Sequence, residues 1–342
     1  MRYDTGLVAC VLAAVAARSY DGFSGNVPAV FMIAHHNIPN RVPDMLPVSV
    51  VIPCYNRENY IRDSVESVLR QSMTGFEIIV VDDGSTDKSV DAIQSINSDK
   101  IKLIRLSKNM GISAARNAGI SMAQGNLIAF LDSDDLMCEK RLEEQESLFR
   151  NDCRTTICGS YFDIIDDKGS LIGSTDCFHN TDRMLKFSAT LGCPFHFSTI
   201  MVRSTSVGGE KQFFDESLEV GEDYEYMSKN ILEGYGCIIK KRLTSCRAHI
   251  NSKTNDVMNN NPNLHMEIFG RVSLNNMKKI GFNTDIYTSL ILREKIFSVN
   301  KPNYDALSEV GKAVCQDIEA QFISTFTHWY NSHDVFEQQK AD

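Results

Sequence analysis

From Pro47 onward the chain alternates short, almost wholly apolar runs with segments whose apolar positions recur every three or four residues. Val48 to Ile52 is rich in β-branched residues and broken only by Ser49, the pattern of a strand covered on both faces. Ile61, Val65, Val68 and Leu69 follow at helical spacing. Phe76 to Val81 predicts a second buried strand, and Val90, Ile93 and Ile96 put an apolar stripe on the next helix. Ile101 to Leu106, then Ile112, Ala115, Ala118 and Met122, repeat the pair. Leu127 to Leu131 and a helix over Glu139 to Phe149, with Leu142, Leu148 and Phe149 turned inward, complete the series. Four strand–helix units in about a hundred residues predict an α/β fold, a doubly wound and mostly parallel sheet with helices on both faces.

The pattern changes at both ends. Leu7 to Ala17 is an apolar stretch behind Met1-Arg2, and Ala14-Val15-Ala16 has the small residues of a secretory cleavage site. Asp4 offsets Arg2, so the charged start of an export signal is weak, and a helix packed on the domain or a loose extension fits as well. Pro39, Pro43 and Pro47 read as a linker. The division expected is 1–46 as extension and linker, 47–250 as the principal domain and 251–342 as a helical C-terminal region. There Asn255, Asn259, Asn260, Asn261 and Asn263 mark a polar loop, and Leu264 onward reads as helices through Phe326. Phe322, Phe326, Trp329 and Tyr330 predict an aromatic seal for the tail, with peripheral docking at a membrane as the other reading. Inside the principal domain Asp166-Asp167-Lys168-Gly169 predicts a hairpin turn, and Phe195-His196-Phe197-Ser198-Thr199 reads as core, with an acceptor wall as the other reading.

Composition narrows the function classes. Asp and Glu number 44 against 35 Lys and Arg, a net charge of -9, which excludes a chain that coats nucleic acid but not one with a local nucleotide site. No run of 18 apolar residues appears, so no integral membrane span is predicted. The 10 cysteines are scattered without a CxxC pair, which predicts reduced, buried thiols in the cytoplasm rather than a structural zinc site.

In a doubly wound sheet, ligands bind outside the carboxyl ends of the strands. At those ends stand Pro53-Cys54-Tyr55-Asn56-Arg57, Asp82-Asp83-Gly84-Ser85 and Asp132-Ser133-Asp134-Asp135. Acidic groups thus converge on one edge with no lysine among them, which is costly unless they hold a cation or a ligand. Hard carboxylate oxygens suit Mg2+ or Mn2+, above all where a phosphate adds further oxygens. Helix capping alone accounts for Ser85 but not for Asp132, Asp134 and Asp135 together. Neither GxGxxG after the first strand nor GxxxxGKS anywhere is present, so a nucleotide here is gripped by side chains and a metal.

Several of these segments carry a resemblance. Pro53-Cys54-Tyr55-Asn56, Val80-Val81-Asp82-Asp83-Gly84-Ser85-Thr86-Asp87, Asn109-Met110-Gly111-Ile112-Ser113-Ala114-Ala115-Arg116-Asn117-Ala118-Gly119 and Phe130-Leu131-Asp132-Ser133-Asp134-Asp135 resemble the successive signatures of family-2 glycosyltransferases. Phe214-Asp215-Glu216 and Gly221-Glu222-Asp223-Tyr224 resemble the acceptor-side motif of that family, and the likeness covers Pro47 to Ile250. It implies the A-type glycosyltransferase fold, a nucleotide-sugar donor, a metal-binding acidic motif and inversion at the anomeric carbon. It further implies that Pro53 and Tyr55 lie at the base and that Asp83 hydrogen-bonds it, most often a uracil. Arg116 then completes the nucleotide pocket, Asp132 reaches the ribose, and Asp134 holds the divalent cation with Asp135 beside it. Asp223 matches the general base, with its neighbour Glu222 orienting the acceptor or the loop. Arg247-Ala248-His249 resembles the Arg-x-His after the last core strand, which adds His249 as a metal ligand. One departure is Lys229, where several members carry an arginine; a lysine lacks the bidentate fork.

The chemistry expected is therefore a single displacement. A divalent cation on the diphosphate oxygens stabilises the leaving charge, and a carboxylate at a helix start deprotonates the acceptor hydroxyl from the opposite side. The acceptor class is a glycan, a glycolipid or another hydroxyl compound, and assembly of surface polysaccharide or lipopolysaccharide at the cytoplasmic face of a membrane is the default by analogy. Two alternatives stay open. A sugar nucleotidyltransferase needs a glycine- and arginine-rich loop after its first strand, and Cys54 to Tyr60 contains no glycine. A non-catalytic binding homologue is expected to lack Asp134 or Asp223, and both are present.

Overall fold

A computed structural model describes residues 47–175, 181–206, 208–248, 261–297 and 308–333. The leading segment with its signal-like stretch, the asparagine-rich stretch 251–260 and His249 lie outside the described residues. The chain divides into two compact units, Met45–Asn276 and a second that holds Met277–Asp342.

The first unit is built on one sheet with strand order β3 (Ile101–Arg105), β2 (Phe76–Asp82), β1 (Val48–Cys54), β4 (Leu127–Phe130), β8 (Met201–Arg203), β6 (Thr155–Ile165), β9 (Tyr235–Arg247), β5 (Leu136–Met137), and β7 (Leu171–Thr175) pairs on β6. Strands β1 (Val48–Cys54), β2 (Phe76–Asp82), β3 (Ile101–Arg105) and β4 (Leu127–Phe130) are parallel neighbours, β1 lying between β2 and β4. Every residue of β1 is buried. Val48, Val50 and Ile52 enter one core with Ile61, Val65 and Val68 of α1 (Ile61–Leu69) and Leu142 of α4 (Arg141–Asn151). Val51, Ile79 and Val81 enter the other core with Ala115 and Ile120 of α3 (Ile112–Met122). Helices therefore cover both faces of the parallel half, and the short α2 (Ser89–Gln94) adds Ile93 to the first core. The second core has one tight approach. A Cβ on Gly119 would meet Val51 Cγ1 at 2.4 Å, so only glycine lets α3 sit this close to β1.

The other half of the sheet is irregular. β5 (Leu136–Met137) follows the acidic loop, β6 (Thr155–Ile165) and β7 (Leu171–Thr175) form an antiparallel hairpin, and β8 (Met201–Arg203) inserts antiparallel between β4 and β6. β9 (Tyr235–Arg247) runs parallel to β6 through several register shifts. The predicted turn at Asp166–Gly169 is present, with Gly169 at φ +83 and the Asp166 amide donating to the Ser170 carbonyl. α5 (Asp182–Leu191) and α6 (Glu222–Leu232) pack Leu185, Ala189, Met227 and Ile231 into the second core. Met122 departs from its predicted inward position and is 53% exposed, because α3 ends there and the chain turns toward β4.

Helix α7 (Pro262–Lys279) follows, then α8 (Ile286–Phe297) and α9 (Glu309–His333), in accord with the helical reading of the tail. Phe322 and Phe326 are fully buried within the second unit, where Phe282 meets Phe322 edge-on and Trp329 and Tyr330 lie against Phe326. Among the described residues no helix is long and apolar enough to cross a membrane.

Candidate active site

Because β1, β2 and β4 are parallel, the loops that follow them open on one edge, as the switch-point rule requires. Pro53 is in register with Val81 at the end of β1, and Tyr55 just beyond it presents a ring that is 41% exposed. The turn is fixed by Asn56, a non-glycine residue at φ 52. Its side-chain oxygen accepts from the Thr86 amide at 2.8 Å, and its own amide donates to Ser85 Oγ at 2.9 Å. Asp83 is 3% exposed and braces a third loop, accepting from the amides of Met110 at 2.7 Å and Gly111 at 2.9 Å. Burial pushes its pKa above the ordinary carboxylate value although these two hydrogen bonds pull the other way.

No lysine stands among these carboxylates, but guanidinium groups lie against the acidic loop after β4 and supply its cationic partners. Arg116 of α3 donates through Nη2 to Asp132 at 3.1 Å and through Nη1 to Glu222 at 3.0 Å. Its side chain is 4% exposed and its guanidinium lies 3.7 Å from the Phe197 ring centre. Arg57 Nε stands 3.5 Å from Asp134 Oδ2. Arg141 is fully buried beneath the loop, donating to the carbonyls of Phe130, Ser198 and Ile200, and desolvation lowers its pKa to about 10. Asp135 is 3% exposed; burial, then the charges of Asp132 and Asp134, push its pKa to about 8. Asp132 keeps 31% of its side chain exposed and Asp134 15%, and Asp132 has a second oxygen beyond the one facing Arg116. Hard oxygens from this pair fit a Mg2+ or Mn2+ ion that takes its remaining ligands from a diphosphate.

Gly221 adopts the left-handed conformation, φ 75 and ψ 10, immediately before α6. That turn sets Glu222 and Asp223 on the first turn of the helix, where the dipole favours carboxylates. Glu222 is 8% exposed and faces Arg116. Asp223 is half-buried; desolvation, then the charge of Glu222, raises its pKa to about 6, against the opposing pull of Arg116. Lys229 lies in the last turn of the same helix.

Three residues at this edge were not singled out as site residues by sequence reasoning. Arg247 at the end of β9 donates from its amide to Asp135 Oδ1 at 2.7 Å and from Nε to the Asp134 carbonyl at 2.9 Å. Its Nη1 reaches the carbonyls of Asp166 and Asp167, and its guanidinium sits 5.0 Å from the Tyr60 ring centre, so it ties the β6–β7 hairpin to the acidic loop. Phe195 and Phe197 are buried as expected of core, but His196 between them opens to solvent. Enough protein surrounds that opening for desolvation to lower the His196 pKa. Cys246 is buried with its Sγ 3.3 Å from His196 Nδ1, and burial raises its thiol pKa well above the usual value.

The likenesses to known proteins agree with this geometry. Residues 49–207 match the family model described as glycosyl transferase family 2. An uncharacterized glycosyltransferase of Haemophilus influenzae is 27% identical over 303 residues, covering 84% of this chain and 91% of its own. The Escherichia coli protein named UDP-Glc:alpha-D-GlcNAc-diphosphoundecaprenol beta-1,3-glucosyltransferase WfgD is 36% identical over 126 residues, 37% of this chain and 49% of that one. By contrast, the chain spans only 30% of an uncharacterized glycosyltransferase of Rickettsia bellii, at 33% identity. The crystal structure of S. aureus TarS 1-349 in complex with UDP superposes with a TM-score of 0.57 at 18% identity, covering 84% of this chain and 91% of that one. The fold is the A-type glycosyltransferase fold, and the chain carries a glycosyltransferase domain.

Proposed function

We propose that the protein transfers a sugar from a nucleoside-diphosphate sugar, with UDP the favoured nucleotide, to a hydroxyl of a lipid-linked or glycan acceptor in surface polysaccharide assembly. The observation that carries this reading is the Arg116 guanidinium, which holds Asp132 of the acidic loop and Glu222 of α6 together. One buried cation thereby couples the segment that faces a donor to the segment that carries Asp223, a carboxyl whose pKa is raised to about 6. The name of WfgD, with its UDP-glucose donor and lipid-diphosphate acceptor, and the UDP complex of a protein of this fold support the same substrate class.

The residues divide the work as follows. Tyr55 offers its exposed ring to the base, with Pro53 at the strand end beside it and Asp83 reading the base edge through the oxygen lone pairs that the Met110 and Gly111 amides leave open. Asp132 reaches the ribose while Arg116 fixes its carboxylate, so Arg116 acts on the nucleotide through Asp132. Asp134 and the second oxygen of Asp132 would hold Mn2+ or Mg2+, and His249 is proposed with them. A divalent ion bound there would neutralise charge developing on the leaving diphosphate. Asp223 accepts the proton of the acceptor hydroxyl; a base with a pKa near 6 is deprotonated at neutral pH yet basic enough to assist. Attack opposite the diphosphate inverts the anomeric centre.

A thermal-shift panel of UDP-, GDP- and TDP-sugars, each with and without Mn2+, tests the donor. A ligand at a hundred times its Kd stabilises by about 2.7 kcal/mol, so the melting point should rise by roughly 5–10 °C for the UDP-sugar with Mn2+. A shift confined to another nucleotide, or none with any of them, contradicts the proposal.

A further inference from the structure

Beyond the hard-oxygen pair lies a second cluster of donor atoms that the transfer reaction does not use. Asp135, His196 and Cys246 each contribute one atom to a group lying within 4.8 Å of one another. They come from the acidic loop, the segment before β8 and the end of β9, so no sequence spacing links them. The same residue types in a row would suggest a nucleophilic triad, but the geometry is wrong for one. In a relay the imidazole separates thiol and carboxylate, which places the end atoms roughly 7 Å apart once two hydrogen bonds and the ring are counted. Here all three donor atoms lie within 4.8 Å of one another, too close for that relay and within reach of one ion. Cys246 Sγ and His196 Nδ1 stand 3.3 Å apart, close to the edge of a tetrahedron with bonds of about 2.0 Å to nitrogen and 2.3 Å to sulfur.

The surroundings fit such a centre. The Arg247 amide donates to Asp135 Oδ1 at 2.7 Å, orienting that carboxylate from behind. The His196 ring packs against Phe162 with centres 4.6 Å apart, which sets its plane. Cys246 and Asp135 are buried while His196 is exposed, so an ion is held from the protein side and keeps a solvent-facing fourth position. A thiol ligates as the thiolate, so the ion that holds it must have real affinity for sulfur. That selects Zn2+ and its borderline relatives over Mg2+ and Mn2+.

We propose that Asp135, His196 and Cys246 form a three-ligand site for a thiophilic divalent ion, Zn2+ above all, separate from the oxygen ligands of Asp132 and Asp134. With His196 exposed, its open position is on the solvent side, where an ion takes an oxygen ligand from water or a bound anion.

Cobalt(II) is the probe, since a Co2+–thiolate bond gives a charge-transfer band in the near ultraviolet that hard oxygen ligands do not give. Titration of the full chain with Co2+ should produce this band, an equivalent of Zn2+ should bleach it, and a large excess of Mg2+ should leave it. Asp134→Ala should retain the band with unchanged affinity. Cys246→Ser should abolish it, and His196→Ala, at an exposed position that does not endanger folding, should weaken Co2+ binding at least tenfold. No band in the wild type, a band that survives Cys246→Ser, or one lost in Asp134→Ala would each overturn the proposal. None of these readouts requires transfer activity, so the result stands apart from that of the donor panel.

Discussion

At the residue scale the site is a set of carboxylates whose charges are managed by arginine. Arg116 shows this most clearly, with Nη groups on Asp132 and Glu222 and a side chain 4% exposed. Removing one partner of a buried ion pair costs about 3–5 kcal/mol, and the exposure of Asp132 puts Arg116→Met near the lower end. Chemical denaturation should show a loss of about 3 kcal/mol for Arg116→Met, and Arg116→Met/Glu222→Gln should lose less than the sum of the single changes. A strictly additive pair would mean that the bridge contributes nothing. Asp223 yields a second expectation, in pH. Its folded pKa of about 6 exceeds the usual 3.8, so its protonated form favours folding below 3.8 and that contribution is lost as pH rises through 6. Asp223→Asn, which cannot ionise, should therefore melt above wild type at pH 7, with the gap closing toward pH 4. For catalysis the sign reverses: kcat/KM of the wild type should fall tenfold per unit below about pH 6 as the base becomes protonated. A flat profile from pH 5 to 7 would remove Asp223 from the base role.

Elements explain what was legible in the sequence and what was not. β1, β2 and β4 are wholly or nearly wholly buried, so their apolar runs end sharply and the residues at their carboxyl ends, Tyr55, Asp83 and Asp132 among them, stand out. α6 likewise begins at a glycine followed by two acids, which reads directly as a helix start. The other half of the sheet offers no such signal. β5 spans 2 residues and β8 spans 3, too short for any period, while the register shifts between β6 and β9 break the alternation that would mark their faces. Arg247 and Cys246 reach the site from β9 and His196 from the irregular segment before β8, which is why their convergence had to be seen in three dimensions. Helix α6 also depends on its entry turn. Gly221 has φ 75, and a Cβ there would stand 3.0 Å from Phe269 Cε2. Gly221→Ala should cost about 1 kcal/mol through the left-handed backbone and shift Glu222 and Asp223. We expect a melting point lower by roughly 2–4 °C and a larger loss in kcat than in donor affinity. An unchanged kcat would show that this turn does not set the base.

For the whole molecule, the doubly wound half carries Tyr55, Asp83 and Asp132 at its strand ends and the other half carries Glu222 and Asp223 on α6, both inside the unit Met45–Asn276. The net charge of -9 is no obstacle to binding a diphosphate, because arginines stand at the edge where the phosphates would lie. Asp134→Ala should remove the Mn2+ dependence of UDP-sugar binding in calorimetry, whereas a wild-type response to Mn2+ would transfer the metal to other ligands. In the proposed reaction donor side and acceptor side are one site, with binding on the first and proton abstraction on the second. Asp223→Asn separates them, since the amide keeps the shape of the side chain but cannot take a proton. Transfer rate and UDP-sugar affinity measured on this one variant should show turnover lower by about 10²–10⁴ with affinity near wild type. Wild-type turnover, or loss of nucleotide binding together with turnover, would contradict the account.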